Sequence, residues 1–358
     1  MMRRIGFHCA VALGLAFAVE AVAGSLDIPV RGAGLSFGNS TRFSGLRLNI
    51  RDEGLVSIDG VTVSVWWPEE SPRGNVRGIS AGLAGTRAAA GAGITVNLGG
   101  CEFETFDGIA VSGLGVGAGS MRGIGLAGLG VGGDDLEGVF AAGLGVGGHD
   151  LTGIGAAGLG VGGHDMTGVF AAGLGMGGHD MTGIFAGGLG IGGHDMTGVF
   201  ATGLGMGGHD MTGIFATGLG MGGHDMTGIF TSLGGAGGRE LNGLFVTGLG
   251  LGGDELTGVF VSGLGIGGDT IDGFAASCGI VHGKRLTGVL IAGAYLRARY
   301  TEGLAFGAYN RVERAATGLQ IGLFNWTPVL HGVQIGLLNY AGNNPSGLKL
   351  LPGINVHF

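Results

Sequence analysis

Charge is scarce in this chain: Asp, Glu, Lys and Arg together make up 12% of its 358 residues. That excludes a charged disordered chain and sets the sequence apart from an ordinary soluble domain, in which about 25% of residues are charged. Proline is also rare, with 6 residues, and the 89 glycines keep no every-third-residue register. A collagen-like rod is therefore excluded. The formal charge of -8 provides no basic field, so no nucleic-acid partner is expected. Of the 3 cysteines, Cys9 falls in the leader described next, while Cys101 and Cys278 allow one disulfide or none, and their spacing makes no metal site. Beyond the leader, Gly and polar turns interrupt every apolar stretch before it reaches the length of a membrane helix.

Residues 1–23 read as an export signal. Arg3 and Arg4 form a positive start, an apolar run follows, and Ala21-Val22-Ala23 offers a small-x-small cleavage site before Gly24. The remainder, 24–358, reads as a single β-repeat domain with a 15-residue period. A Gly preceding an apolar doublet marks each period, from Gly138 through Gly153, Gly168 and Gly183 to Gly288, and the same step reaches back to Gly78 and on to Gly318. Gly45 and Gly60 keep it near the start, before an 18-residue step to Gly78; a 14-residue step leads from Gly318 to Gly332.

The flanking units show the structural class. "GLRLNI" (45–50) sets Leu46, Leu48 and Ile50 on one face and Arg47 and Asn49 on the other, and "GVTVSV" (60–65) and "GITVNL" (93–98) do the same. Period two with Val, Ile and Thr means strand, and "GGHD", "GGDE" and "GNNPSG" supply turns. Two all-β architectures fit. The first is a transmembrane β-barrel of about 20–22 short strands, since one repeat unit accommodates a tilted spanning strand of about 10 plus a turn. The terminal "GINVHF", with Ile354, Val356 and Phe358 on one face, resembles the closing strand of bacterial outer-membrane barrels. The second is a parallel β-solenoid with one 15-residue rung per coil, which the strict period favours because a rung must close on itself. In a solenoid, Met166, Val169, Ala171, Leu174 and Met176 are expected inside, and the Phe row would stand exposed to a partner. In a barrel, "GVFAAGLGMG", apolar or small on both faces, leaves no polar lumen. The barrel is the first expectation, the solenoid the alternative. The residues expected to carry structure or an interface are Phe140 and, one per rung, Phe170, Phe185, Phe200, Phe215, Phe230, Phe245 and Phe260, with Phe358 at the end.

Six rungs carry a His-Asp pair: His149-Asp150, His164-Asp165, His179-Asp180, His194-Asp195, His209-Asp210 and His224-Asp225. Both residue types bind metals, so Asp150, Asp165, Asp180, Asp195, Asp210 and Asp225 are candidate ligands, with calcium the candidate cation. However, Asp134, Arg239 and Asp254 replace His in neighbouring units. A transition-metal row does not tolerate Arg at a ligand position, whereas a turn at a wet edge does, and turn residues are the first reading. A solenoid would align these pairs along one edge; a barrel would send alternate pairs to opposite rims. "GLGVGG" matches part of a dinucleotide fingerprint but precedes another turn, and no phosphate-binding Lys follows. Ser120 and Ser232 are isolated turn residues, and the adjacent carboxylates Asp134-Asp135 and Glu69-Glu70 would face apart on a strand. No enzyme, catalytic residue or cofactor-binding residue is expected.

From Gly288 onward Tyr295, Arg297, Arg299, Tyr300, Tyr309, Arg311, Arg314 and Trp326 gather, suiting either a membrane-interface belt or the polar cap of a repeat stack, as do Trp66 and Trp67 near the start. At "GLQIGLFNW" (318–326) and "GVQIGLLNY" (332–340) the chain resembles the leptospiral-type bacterial surface-repeat family, whose units read Gly-apolar-Gln-apolar-Gly-Leu-x-Asn. Gly318, Gln320, Gly322 and Asn325 match it, as do Gly332, Gln334, Gly336 and Asn339; 303–310 lacks the Gln. The close resemblance is confined to the C-terminal stretch, roughly 299–358, and the middle replaces Gln by Phe and loses the Asn. It implies export to the envelope of a Gram-negative-type bacterium and carries no catalytic residues. The expected location is the outer membrane or cell surface. The expected partners are membrane lipid and the barrel-assembly machinery for a barrel, or a protein partner or self-association for a solenoid.

Overall fold

The computed structural model describes residues 24–30, 33–68 and 73–358. The expected leader and the Glu69-Glu70 pair lie outside the described residues. The chain divides into two compact units, one ending at Phe170 and one spanning Ala171–Phe358. Each is an all-β, parallel β-solenoid.

The first unit opens with a hairpin, Ser25–Val30 antiparallel to Ala33–Gly38. Ala33–Gly38 then pairs in parallel with Arg42–Asn49, and every later pairing within the unit is also parallel. Gly78 pairs with Gly93, Gly93 with Gly108, and Gly130 with Gly145, each exactly one sequence period apart. The 18-residue step pairs Gly60 with Gly78 in unbroken register. The paired strands end at Ser64 and begin again at Asn75.

The second unit repeats the arrangement with shorter strands. In Asp195–Thr202 and Asp210–Thr217, Asp195 pairs with Asp210, Phe200 with Phe215 and Thr202 with Thr217. Short strands such as Gly190–Gly192 pair with Gly205–Gly207 along a second side. The 14-residue step pairs Gly318 with Gly332, and Leu350–His357 closes the end antiparallel to Val329–Ala341.

The expected transmembrane barrel is thus corrected to its alternative. A meander barrel needs one reversal per strand and antiparallel neighbours. Here a rung contains two corners, seen at Gly203-Leu204 and Gly208-His209 between the strands. The chain therefore returns to its starting side pointing the same way, and its neighbour is its own equivalent one rung earlier.

Each beat glycine has a physical reason. All of them, from Gly45 through Gly347, have positive φ; Gly198 stands at +133°. A Cβ on Gly198 would lie 2.0 Å from the Gly183 carbonyl oxygen of the preceding rung. Any other residue meets both a strained backbone and a backbone clash.

Around that glycine the side chains alternate. Met196 is buried, Thr197 exposed, Val199 exposed, Phe200 buried, Ala201 exposed and Thr202 buried. The core of a central rung is therefore a Met or Leu, a Phe, a small residue and one aliphatic from the short strand, each stacked on its counterpart at sheet spacing. Rings from Phe185 to Phe245 stack 4.6–5.0 Å apart. In the first unit the Phe170 ring packs over Gly155, in a rung that has no Phe, with Cδ1 2.5 Å from where a Cβ would stand.

Toward the ends the interior turns polar. In the first unit Arg47, Asn49, Thr62, Ser64, Thr95 and Asn97 are buried. Arg47 pairs with Asp52, and it also donates to Thr62 Oγ1 at 3.1 Å and to the Ser40 carbonyl at 2.9 Å. Asn49 and Ser64 donate to Asp52 at 2.8 and 2.9 Å. In the second unit the residues that carried the family resemblance form amide ladders. Asn310 donates to Asn325 and Asn325 to Asn339, each at 2.7 Å, and Gln334 donates to Gln320 at 2.7 Å. Gln320 and Gln334 occupy the rung position that Phe holds in the middle of the chain. An amide supplies both a donor and an acceptor, so successive amides in a column pair with one another in the core, leaving Asn310 Oδ1, Gln320 Nε2 and Gln334 Oε1 without a partner among the described residues.

Candidate binding surfaces

Two kinds of surface recur over successive rungs: a His-Asp edge and an aliphatic face. The His-Asp edge follows from the sequence between the short strand and the next long one. The corner leaves both side chains outward, as a solenoid requires. In the second unit His179, His194, His209 and His224 stack with centroids 4.6–4.8 Å apart and planes within 11° of parallel. In the first unit His149 and His164 stack at 4.9 Å. Nδ1 of His149, His164, His194 and His209 lies 2.8 Å from Oδ1 of the following Asp. In the neutral ring that nitrogen carries the proton and donates.

This contact answers the repulsion expected of an acidic row. Each carboxylate of Asp150, Asp165, Asp180, Asp195, Asp210 and Asp225 has an imidazole beside it and lies exposed to screening water and salt. Where the chain replaces His by Arg239, the guanidinium takes the same role, 2.7 Å from Glu240 and 3.6 Å from Asp225. The Asp150 carboxylate, through its hydrogen bond and then its charge, raises the His149 pKa above the usual imidazole value of 6.5. Donor atoms of His209, Asp210 and His224 come within 4.8 Å of one another, close enough to approach one ion. Stacked rings point their edges the same way, however, so converging on a single ion requires a ring to turn.

The aliphatic face was not foreseen. The expected exposed Phe row is a correction: Phe170, Phe185, Phe200, Phe215, Phe230, Phe245 and Phe260 are at most 2% exposed and form core. Met166 and Met176 are buried as expected, but Val169 and Leu174 are 44% and 47% exposed, and Ala171 also faces out. The reason is strand phase. The beat glycine takes an inward position, so the residue after it faces solvent and the next one faces the core. What stands outside in the second unit is a row of Ile184, Val199, Ile214 and Ile229 beside a row of Leu189, Leu204 and Leu219, all 40–65% exposed. Between the rows runs an open groove of about 780 Å³ lined by Ala186, Gly187, Ala201, Gly203 and Ala216 at one end and by Thr231, Leu233 and Val246 at the other. Inward hydroxyls hold the corner beneath the leucines: Thr202 donates to the Leu189 carbonyl at 2.9 Å and Thr217 to that of Leu204 at 2.8 Å. The first unit presents its own aliphatic face, with Leu46, Leu48, Val61, Val63, Ile94 and Val96 each 36–46% exposed over the polar interior described above. The sequence did contain the signal: "GLRLNI" alternates strictly, and with Arg47 bonded inside, its leucines must lie outside.

Other expected features fall outside these surfaces. Phe358 is 90% exposed past the last strand and packs into nothing. Cys101 and Cys278 are both free; Cys101 is buried, which pushes its thiol pKa up, and Cys278 is exposed. The C-terminal aromatics and arginines pair across rungs, Arg311 lying 5.5 Å over the Trp326 ring and Arg297 2.6 Å from Glu313. Trp67 carries Arg87 in the same way. Among the described residues no helix is long and apolar enough to cross a membrane. Comparison with family models, curated proteins and solved structures finds no match to this chain.

Proposed function

We propose that the chain is an exported bacterial surface protein whose role is structural or binding, exercised through its aliphatic faces rather than by catalysis. One observation carries this reading: the second unit exposes rows of large aliphatic side chains on regular sheet from Ile184 to Ile229, without charge among them, while the first unit exposes aliphatic side chains bordered by Asp59, Arg77 and Asp107. Contiguous apolar surface of this extent marks an interaction site. Regular spacing suits a partner that is itself extended. Supporting the placement at the cell surface are the leader-like stretch 1–23 and the surface-repeat resemblance of the C-terminal rungs. A passage role for solutes rested on a barrel and goes with it.

The reading is tested by fractionating a Gram-negative host that expresses the full chain. Recovery from the envelope or the medium is the expected result, and retention in the cytoplasm with the stretch 1–23 uncleaved contradicts it. The second part of the test replaces Ile184, Val199 and Ile214 by Thr. Loss of envelope association with unchanged circular dichroism is expected, and unaltered association contradicts the role given to the face.

Cations are a second, subordinate proposal, favoured by the rungs in which acidic pairs have no imidazole, Asp134-Asp135 and Asp254-Glu255. Oxygen-rich positions of this kind suit calcium. A rise in melting temperature with calcium that chelation reverses supports it, and an unchanged melting curve ends it.

A further inference from the structure

The relief of the second unit's aliphatic face fits one occupant closely, and we propose that this occupant is a second copy of the same face. The inference rests on the binding role proposed above and names its partner. From Leu174 to Ile229 the face has a definite profile at the rung spacing: a row of leucines, a groove with Ala186, Ala201 and Ala216 along its floor, and a row of Ile and Val; beyond it Thr231 and Val246 line the groove and Gly234 interrupts the leucines. A neighbour that fills such a groove must present a straight row of aliphatic side chains about 4.8 Å apart, the spacing of a β-ladder. Leu189, Leu204 and Leu219, 45–65% exposed, are such a row. The face therefore carries both the ridge and the groove that receives it. When two copies meet across a two-fold axis, the leucines of each enter the groove of the other, the isologous arrangement that closes a pair.

Area supports the match. Twelve large side chains in the two rows from Leu174 to Leu264 stand 37–65% exposed. At roughly 100 Å² of apolar surface for each whole side chain, and with the Ala, Gly, Thr and Val between them, they offer on the order of 800 Å², which is what a stable pair buries per partner. Charge does not oppose it. The stretch from Gly183 to Gly193 contains no ionisable side chain, and neither does that from Gly198 to Gly208; His194-Asp195 and its equivalents lie on the other edge. A fluid lipid surface would also accept aliphatic side chains, but it has no fixed period and gains nothing from a groove of this shape. Flat, in-register ladders with small residues between ridges close into dry interfaces of the kind proposed.

The test uses the full chain and the triple variant Leu189→Gln, Leu204→Gln, Leu219→Gln. These side chains lie outside the core, so the rungs are expected to keep their circular dichroism. Light scattering after size exclusion should give the mass of two chains for the native protein and one for the variant, with the dissociation constant raised at least about a hundredfold, because three central anchors are lost. Should the triple variant fail to fold, Ala201→Glu, which places a charge in the groove, should separate the copies in the same way. A native protein that stays single at about 100 μM, or a folded variant that pairs as before, overturns the proposal. Flotation with phosphatidylethanolamine–phosphatidylglycerol vesicles distinguishes the two readings. A single native chain that floats, when the triple variant does not, overturns pairing but leaves the binding role of the face standing. A single chain that does not float, and is released from the envelope, overturns both.

Discussion

At the scale of the residue, phase decides burial, because in the central rungs with a Phe an aliphatic residue and that Phe are neighbours and equally apolar. Phe215 is fully buried and Ile214 is 47% exposed. Phe215→Ala should therefore destabilise by about 3–5 kcal/mol, as for a large side chain removed from a packed core. Ile214→Ser should change stability by about 0.5 kcal/mol or less. Urea midpoints of the two variants measure this, and equal losses would invert the assignment of faces. Gly198 is held to glycine by a positive φ and by the carbonyl beneath it. Gly198→Ala should cost more than about 2 kcal/mol on the same scale, although it adds only a methyl group. His149 provides a pH signature. With its pKa raised by Asp150, the charged pair contributes in full below the ordinary imidazole value of 6.5 and is lost as pH rises through the raised folded-state value. Titrating the His149 ring by NMR in native and Asp150→Asn protein should show the midpoint fall in the variant; an unmoved midpoint would deny the contact.

At the scale of the element, the rung is the unit of construction. Deleting one whole rung, such as 198–212, should leave the β-content unchanged, because Gly183 then stands under Gly213, its own equivalent. Deleting only half a rung, such as 198–205, should abolish cooperative unfolding of the second unit, since it sets inward residues outward and loses a corner. Circular dichroism and urea melts separate the two. The rung was legible in the sequence because a position that forbids a Cβ can hold only Gly, and it repeats without exception. The direction of the strands was less legible. A strand-length stretch with one visible turn suits a hairpin meander as well as a coil, and the second corner, at Gly203-Leu204, looks like a strand interior because Leu follows Gly there just as Val follows Gly198. The apolar text on both sides of "GVFAAGLGMG" was legible as a difficulty; the exposed aliphatic face is its physical answer. The Gln and Asn of the last rungs were legible as a repeat signature, but their burial was not, since an amide column becomes favourable only when stacked rungs supply its partners.

At the scale of the whole molecule, each unit is a stack in which sequence distance and spatial distance are proportional, one rung to one sheet spacing. The central claim is this parallel stacking. Its most direct test is a series of spin-label distances in the second unit between cysteines at Thr182, Thr227 and Thr257, all exposed on one side of their strands, in a Cys9→Ser, Cys278→Ser background that leaves the native Cys101 buried. The stack predicts separations that grow linearly, to about 14 Å across three rungs and about 24 Å across five. Distances that alternate between near and far with odd and even rung number, as an antiparallel meander with turns on opposite rims would give, would contradict it.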